Sequence, residues 1–140
     1  MTIPAAAAQG STLTFPILEC FHIIGYACGI GTITLLDFRL LGFVLEDKSL
    51  ALLWRDTLFW TLGGIALAMT AGLMLFSTDP DMYYLNYVFN TKMAVLLAAL
   101  IFHFTAVRKA ALGGGGKAVA VISLVLWAAV LAGGIFTAFV

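Results

Sequence analysis

Long apolar runs alternate with short polar connectors along this 140-residue chain. A helix needs about 20 apolar residues to cross the hydrocarbon core of a bilayer. Four segments qualify, and we predict membrane spans at approximately Phe15–Leu36 (or running on to Leu45), Thr57–Phe76, Thr91–Val107 and Ala118–Phe139. The pattern therefore predicts an all-α membrane protein, with residues 1–140 forming one four-helix antiparallel bundle.

The composition supports a membrane protein and argues against a soluble one. Hydrophobic residues make up 63% of the chain and charged residues only 10%, with a mean hydropathy of +1.09. A soluble domain is usually about a quarter charged. The net charge is zero, so nothing favours a nucleic-acid partner, and the expected environment is the lipid bilayer.

The basic residues predict how the bundle is oriented. Two connectors, between spans one and two and between spans three and four, hold six of the seven: Arg39, Lys48, Arg55, Arg108, Lys109 and Lys117. Only Lys92 falls on the other side, beside a tyrosine-rich connector typical of a membrane interface. Because basic connectors stay in the cytoplasm, we expect both termini outside it.

Ionisable residues inside the predicted spans are the candidate functional groups. Both histidines of the chain, His22 and His103, lie there, and the first span and its extension also carry Glu19, Asp37 and Arg39. Such groups are costly in lipid and by default mark functional sites. The alternative is that each one forms a hydrogen bond that holds two helices together.

One face of the first span carries Glu19, His22, Gly25 and Gly29, because residues three or four apart share a face. Glu19 can orient the His22 imidazole as a carboxylate orients a metal ligand. The two glycines form a GxxxG pair, which permits either close packing of another helix or room for a flat cofactor.

Depth separates the two histidines. Counting 1.5 Å per residue, His22 lies about 10 Å below the outer surface and His103 roughly 8 Å above the inner one, a difference of roughly 12 Å. A single metal shared by both is therefore strained, and two polar clusters are predicted. The outer cluster combines Glu19, His22, Lys92 and Asn86; the inner one combines Asp37, Arg39, His103 and Arg108.

These groups favour a b-type haem protein that transfers electrons to or from a quinone or a redox partner protein. His22 and His103 would be the metal ligands, Arg39, Lys92 or Arg108 would bind propionates, and Gly25 and Gly29 would clear space. Copper is the alternative cofactor, because methionine and cysteine sulfurs favour copper(I). The candidate sulfur ligands are Met69, Met74, Met93 and Cys20.

Two other classes of function stay open. The same residues would serve a cofactor-free proton- or ion-coupled transport protein as a relay across the bilayer. They would equally serve a structural membrane subunit or homo-oligomer whose buried polar groups fix helix register. No serine or threonine in a span has a histidine or acid at catalytic spacing, so hydrolytic chemistry is not predicted.

Several stretches resemble a family of small four-span bacterial membrane proteins catalogued as a domain of unknown function. They are "LECFHIIG", "LLDFRLLG", "AGLMLF", "NYVFNTKM", "IFHF" and "ISLVLWAAVLAGG", in that order. The resemblance marks Glu19, His22, Asp37, Arg39, Asn86, Phe89, Lys92 and His103. The chain departs from the family pattern at Asn86-Tyr87, where Asn-Pro is usual, and at Gly133-Gly134, where a basic residue is usual. The resemblance implies this fold and a location in a bacterial inner (cytoplasmic) membrane, and it implies no activity.

Overall fold

The computed structural model describes residues 13–140 and shows helices joined by short connectors. Four helices are long and apolar enough to span a membrane: α1 (Thr14–Leu41), α2 (Leu50–Thr78), α4 (Tyr87–Leu112) and α5 (Lys117–Thr137). A short helix, α3 (Pro80–Tyr84), joins α2 to α4. No strand occurs between Leu13 and Val140. The predicted four-helix membrane fold is thus confirmed.

The helices extend beyond most of the predicted spans because capping residues, and not hydropathy, set their ends. The Ser49 side chain accepts a hydrogen bond from the Leu52 N–H, so α2 begins at Leu50. Gly42 ends α1 in the left-handed conformation, with φ of 81°, which glycine adopts without steric cost. Polar residues such as Asp37 and Arg39 are therefore helical although they interrupt the apolar run.

Helices α1 and α2 pack with their backbones in contact. A methyl group added to Gly25 would lie 2.7 Å from the Gly64 carbonyl oxygen, and one on Gly64 would lie 2.8 Å from the Gly25 carbonyl oxygen. A methyl group on Gly29 would meet the backbone nitrogen of Ile65 at 3.1 Å. The GxxxG pair therefore provides close helix packing, the first of its two predicted uses.

Two apolar clusters fill the interior of the bundle. The basic-end cluster lies near the connectors that carry most of the basic residues and comprises Leu36, Leu40, Leu50, Trp54, Val107, Ala110, Ala111 and Ala120. The mid-bundle cluster comprises Ile30, Ile33, Leu96, Ala99, Trp127 and Val130. We call the opposite end of the bundle, which includes α3, the aromatic end.

Helix α4 changes its hydrogen-bonding pattern once, where it passes between these clusters. A π-helical turn runs from His103 to Val107, within the otherwise α-helical Tyr87–Leu112. Such turns contain one extra residue and occur frequently at functional sites. Its first residue is one of the two histidines of the chain.

Candidate functional site

Three helices place a buried polar residue between the two apolar clusters. We call Asp37 of α1, His103 of α4 and Ser123 of α5 the polar layer. Their exposed fractions are 0%, 2% and 1%. Along each helix, a member of the mid-bundle cluster lies one turn to one side and a member of the basic-end cluster one turn to the other. The flanking pairs are Ile33 and Leu40, Ala99 and Val107, and Trp127 and Ala120.

Several polar atoms of the polar layer have no hydrogen-bond partner within residues 13–140. Both carboxylate oxygens of Asp37, Nδ1 of His103 and Oγ of Ser123 are buried without a partner among residues 13–140, as is Nε1 of Trp127. Most buried polar atoms in proteins have a partner in the protein or in ordered water. An equally buried neighbour differs: the Thr61 hydroxyl donates to the Thr57 carbonyl at 3.0 Å and lies 2.7 Å from the Thr32 hydroxyl.

The surroundings of the polar layer make an ionised side chain energetically unfavourable there. Ser123 lies close enough to Asp37 to act on its carboxyl, although the two side chains do not reach hydrogen-bonding geometry. The His103 ring lies between aromatic neighbours, 5.1 Å from the Trp54 ring centroid and 5.1 Å from that of Phe104. An unpaired carboxylate is very unfavourable in such a place, so Asp37 must be neutralised by a proton or a cation.

The predicted arginine partners lie elsewhere. Arg39 donates to the carbonyls of Lys48 and Glu46, at 2.8 and 3.1 Å, and so holds the connector between α1 and α2. Two residues along an α-helix turn through about 200°, so Arg39 and Asp37 face opposite ways. Arg108 is exposed at the basic end of the bundle. The structure brings together Asp37 and Ser123, and not the predicted inner set of opposite charges.

His22 lies nearer the aromatic end and packs against α2. Its Nδ1 is 2.6 Å from the Ala68 carbonyl oxygen, which can only accept, so this nitrogen carries the proton. The ring also touches Gly72, where an added methyl group would lie 2.8 Å from Cε1. The contact with Ala68 is a hydrogen bond between two helices, as expected if His22 serves to hold α1 and α2 together. It also leaves Nε2 unprotonated in the neutral ring, as metal-bound histidines require.

The other residues of the predicted outer cluster surround His22 only loosely. The charges of Glu19 and Lys92 both act on its ring, but no ion pair within 4.0 Å joins these two among residues 13–140. Lys92 lies over the Phe89 ring, 5.8 Å from the centroid. Asn86 is a structural residue: its Oδ1 caps α4 by accepting from Val88 and Phe89, and its amide donates to the Thr137 carbonyl.

The two histidines belong to separate sites. His22 contacts α2 at Ala68 and His103 contacts α2 at Trp54, fourteen residues away. That separation is about 21 Å along the helix, larger than the predicted 12 Å or so. Axial nitrogens on one iron lie roughly 4 Å apart, because ligand nitrogens lie about 2 Å from a metal. His22 and His103 of one chain therefore do not hold one haem.

The residues fit a metal or cofactor at His22 better than at His103. His103 is enclosed by packed side chains, and α2 backbone occupies the space beside Gly25 and Gly29. Among residues 13–140, no group of three or more His, Cys, Asp or Glu residues forms a metal site. The sulfur ligands considered for copper, Met69, Met74, Met93 and Cys20, all have exposed side chains.

Sequence reasoning missed Ser123 and the indole of Trp127. A serine in a span is usually explained by a hydrogen bond to its own helix, and a tryptophan by packing or interfacial anchoring. One signal was available, because positions 123 and 127 share a face of α5. That spacing places a hydroxyl and an indole N–H in the same interior.

Comparison with known proteins supplies a family and no activity. No curated protein matches the chain. No solved structure matches it. The model of one family matches residues 8–140, nearly the whole chain, and its description is "Family of unknown function (DUF6644)". The protein thus belongs to family DUF6644, a family of unknown function whose members the sequence motifs had indicated.

Proposed function

We propose that this multi-pass membrane protein transfers protons across the bilayer, with Asp37 as the central proton-binding group. The observation that carries the proposal is a fully buried carboxyl, with neither oxygen hydrogen-bonded to the described part of the chain. A carboxyl that serves only to join helices would be expected to have a protein partner, as Thr61 has. A carboxyl without a fixed partner is free to bind and release a proton.

The other polar groups extend the path along α1 from Asp37 towards the aromatic end. Glu19 and His22 lie towards the aromatic end, and the hydrogen-bonded hydroxyls of Thr32 and Thr61 lie between them and Asp37. His103 supplies an unpartnered imidazole nitrogen in the same layer as Asp37. These groups are more than one hydrogen bond apart along the helix, so internal water would complete the connections, as it does for many buried polar groups.

The basic connectors also support a proposed orientation and location for the protein. The connectors 42–49 and 113–116 lie at the basic end of the bundle, and we place that end in the cytoplasm of a bacterium by the positive-inside rule. Asp37 then lies nearer the cytoplasmic side and His22 nearer the outer side. Protons would enter at Glu19 and His22 and leave past the basic-end cluster, or travel the reverse route.

Proton flux into liposomes tests the proposal. Purified protein is reconstituted with a trapped pH-sensitive dye, and a potassium diffusion potential set with valinomycin drives protons inward. We expect acidification with the wild type and at least a tenfold slower rate with Asp37→Asn. Asp47→Asn, an exposed acid in the connector, is the matched control and should leave the rate unchanged. Wild-type liposomes no faster than protein-free ones would refute proton transfer.

A haem-binding electron-transfer protein is the second candidate, because the His22 Nδ1 bond to the Ala68 carbonyl leaves Nε2 for a metal. The enclosed His103 and the separation of about 21 Å require the second axial ligand to come from elsewhere. His22 of a second copy is a suitable source, since a two-fold axis along the membrane normal keeps both residues at equal depth. Haem would supply reversible one-electron chemistry there, with a quinone or redox protein as partner.

Absorbance spectra separate the two candidates. The protein is expressed with excess haem, purified and analysed for iron. Under the haem proposal a Soret band appears and is lost in His22→Ala, whereas His103→Ala retains it because that ring has no access to a porphyrin. A colourless, iron-free protein that still conducts protons would leave only the first candidate.

A further inference from the structure

The Ser123 hydroxyl is a buried group that the proposed function leaves unassigned. Its Oγ has no hydrogen-bond partner among residues 13–140, although the side chain is only 1% exposed. Most hydroxyls in the spans donate to a carbonyl three or four residues earlier in their own helix, an acceptor that a helix offers to any serine or threonine. They are those of Thr32, Thr57, Thr61, Thr70, Ser77, Thr78, Thr105 and Thr137. Ser123 therefore lacks a bond that its own helix could provide.

Apolar packing on both sides places Ser123 of α5 at the level of Asp37 of α1. The neighbours of both residues one turn towards the basic end belong to the basic-end cluster. Their neighbours one turn towards the aromatic end belong to the mid-bundle cluster. The hydroxyl and the carboxyl thus lie between two sets of contacts on packed helices, and Ser123 is close enough to act on the carboxyl.

Charged side chains do not take this place beside Asp37. Among residues 13–140, no ion pair within 4.0 Å includes its carboxylate, and Arg39 bonds to carbonyls of the connector instead. Helix α2 contributes the uncharged Trp54 ring to this level of the bundle, and α4 contributes His103. His103 is thus the titratable group that the polar layer places with Asp37, and α5 faces the carboxyl with a hydroxyl.

We infer that Ser123 is the hydrogen-bond partner of Asp37 in both of its protonation states, and so a positioning residue for proton transfer. This inference rests on the proposed function. When the carboxyl is neutral, its O–H donates to Ser123 Oγ; when it is ionised, the serine O–H donates to the carboxylate. A hydroxyl can do both because it has one donor and two acceptor lone pairs. The serine keeps its own proton throughout, and only the direction of its O–H and a small rotation of the side chain change.

The two hydrogen bonds differ in strength, and the difference favours release of the proton. A hydrogen bond to an ionised group is roughly twice as strong as one between neutral groups. Ser123 therefore stabilises the carboxylate in a place where an unpaired one is very unfavourable. Without the hydroxyl, Asp37 should hold its proton about tenfold more tightly, which moves its titration midpoint up by roughly one pH unit.

Infrared titration of the reconstituted protein tests the inference without a proton gradient. The C=O stretching band of the protonated Asp37 carboxyl is identified by its loss in Asp37→Asn, and its intensity is followed as the pH is raised. We expect Ser123→Ala to raise the midpoint by roughly one unit. Ser123→Cys, whose S–H is a weak donor, should raise it less. Ser77→Ala removes an exposed serine that bonds to its own helix and should leave the midpoint unchanged.

The position of the same band is a second readout, which a loss of packing alone would not move. It should shift to higher wavenumber in Ser123→Ala, because the carboxyl has lost a hydrogen bond. An unchanged midpoint, an unchanged band position, or a midpoint shift that disappears when His103→Gln is added would each overturn the inference. Titration needs no flux, so a protein that titrates as expected but conducts no protons would refute the proposed function and leave this hydrogen bond standing. Proton flux with an unaltered Ser123→Ala titration would refute the inference alone.

Discussion

Replacing Asp37 by leucine should make the protein more stable and abolish its proposed activity. The carboxyl is completely buried, and its oxygens have no partner in the described structure. Burying a polar group without a hydrogen bond costs about 1–3 kcal/mol on the scale of protein mutational data. Leucine removes that cost and is similar in size, and the site lies one turn from Ile33 and Leu40. We expect the free energy of unfolding to rise by about 1–3 kcal/mol.

The assay is reversible unfolding in mixed micelles with increasing SDS, followed by circular dichroism, for the wild type, Asp37→Leu and Asp37→Asn. The asparagine variant keeps a polar group at the same place, so its stability should stay within about 1 kcal/mol of the wild type. Asp47→Asn provides the exposed control. A leucine variant less stable than the wild type by 1 kcal/mol or so would refute the reasoning. It would mean that the native carboxyl is well solvated or well paired, as a satisfied structural group would be.

Three other predictions follow from separate contacts. Gly25→Ala should lower the unfolding free energy by about 1–3 kcal/mol, because its methyl group would collide with the α2 backbone. Gly63→Ala, with nothing within 4 Å, should not lower it in the same assay and should raise it by up to about 1 kcal/mol, because alanine is the better helix former. Asn86→Ala should cost about 1 kcal/mol by removing the cap of α4, and thermal unfolding by circular dichroism checks this; an unchanged midpoint would contradict the capping role. Burial and then the charges of Glu19 and Asp79 raise the pKa of Tyr83, so its contribution to stability is present below pH 10 or so and lost as the pH rises through the raised value. Ultraviolet titration of the phenolate should show that Glu19→Gln lowers this pKa, and an unchanged curve would contradict the electrostatic cause.

The four spans could be predicted from hydropathy because each one must be apolar over its whole membrane depth. The ends of the helices could not, since single capping residues such as Ser49 and Asn86 fix them. The site was predictable in part. His103 and Asp37 stand out as ionisable residues in lipid-compatible runs, but the Arg39 side chain was assigned to the wrong neighbour, although its two-residue spacing from Asp37 already places it on another face.

The remaining features depend on three-dimensional packing. The partner of His22 is a backbone carbonyl of another helix, and every residue has such a carbonyl, so no side-chain pattern identifies it. Ser123 becomes a candidate site residue only because the fold places it near Asp37. A sequence shows which residues are unusual in lipid, whereas the choice of neighbours depends on how the helices rotate against each other.

The extra residue in the π-helical turn His103–Val107 governs which way the last part of α4 faces. One residue corresponds to about 100° of rotation in an α-helix. With the wide turn present, Ala110 and Ala111 pack inside while Arg108 and Lys109 point to the surface. Deleting Thr105 would convert the turn to ordinary α-helix. The residues after it would then rotate by about 100° relative to the first part of α4, so the two alanines and the two basic residues could not all keep their present environments. The extra residue therefore allows one continuous helix to keep His103 in the interior and Arg108 and Lys109 on the surface.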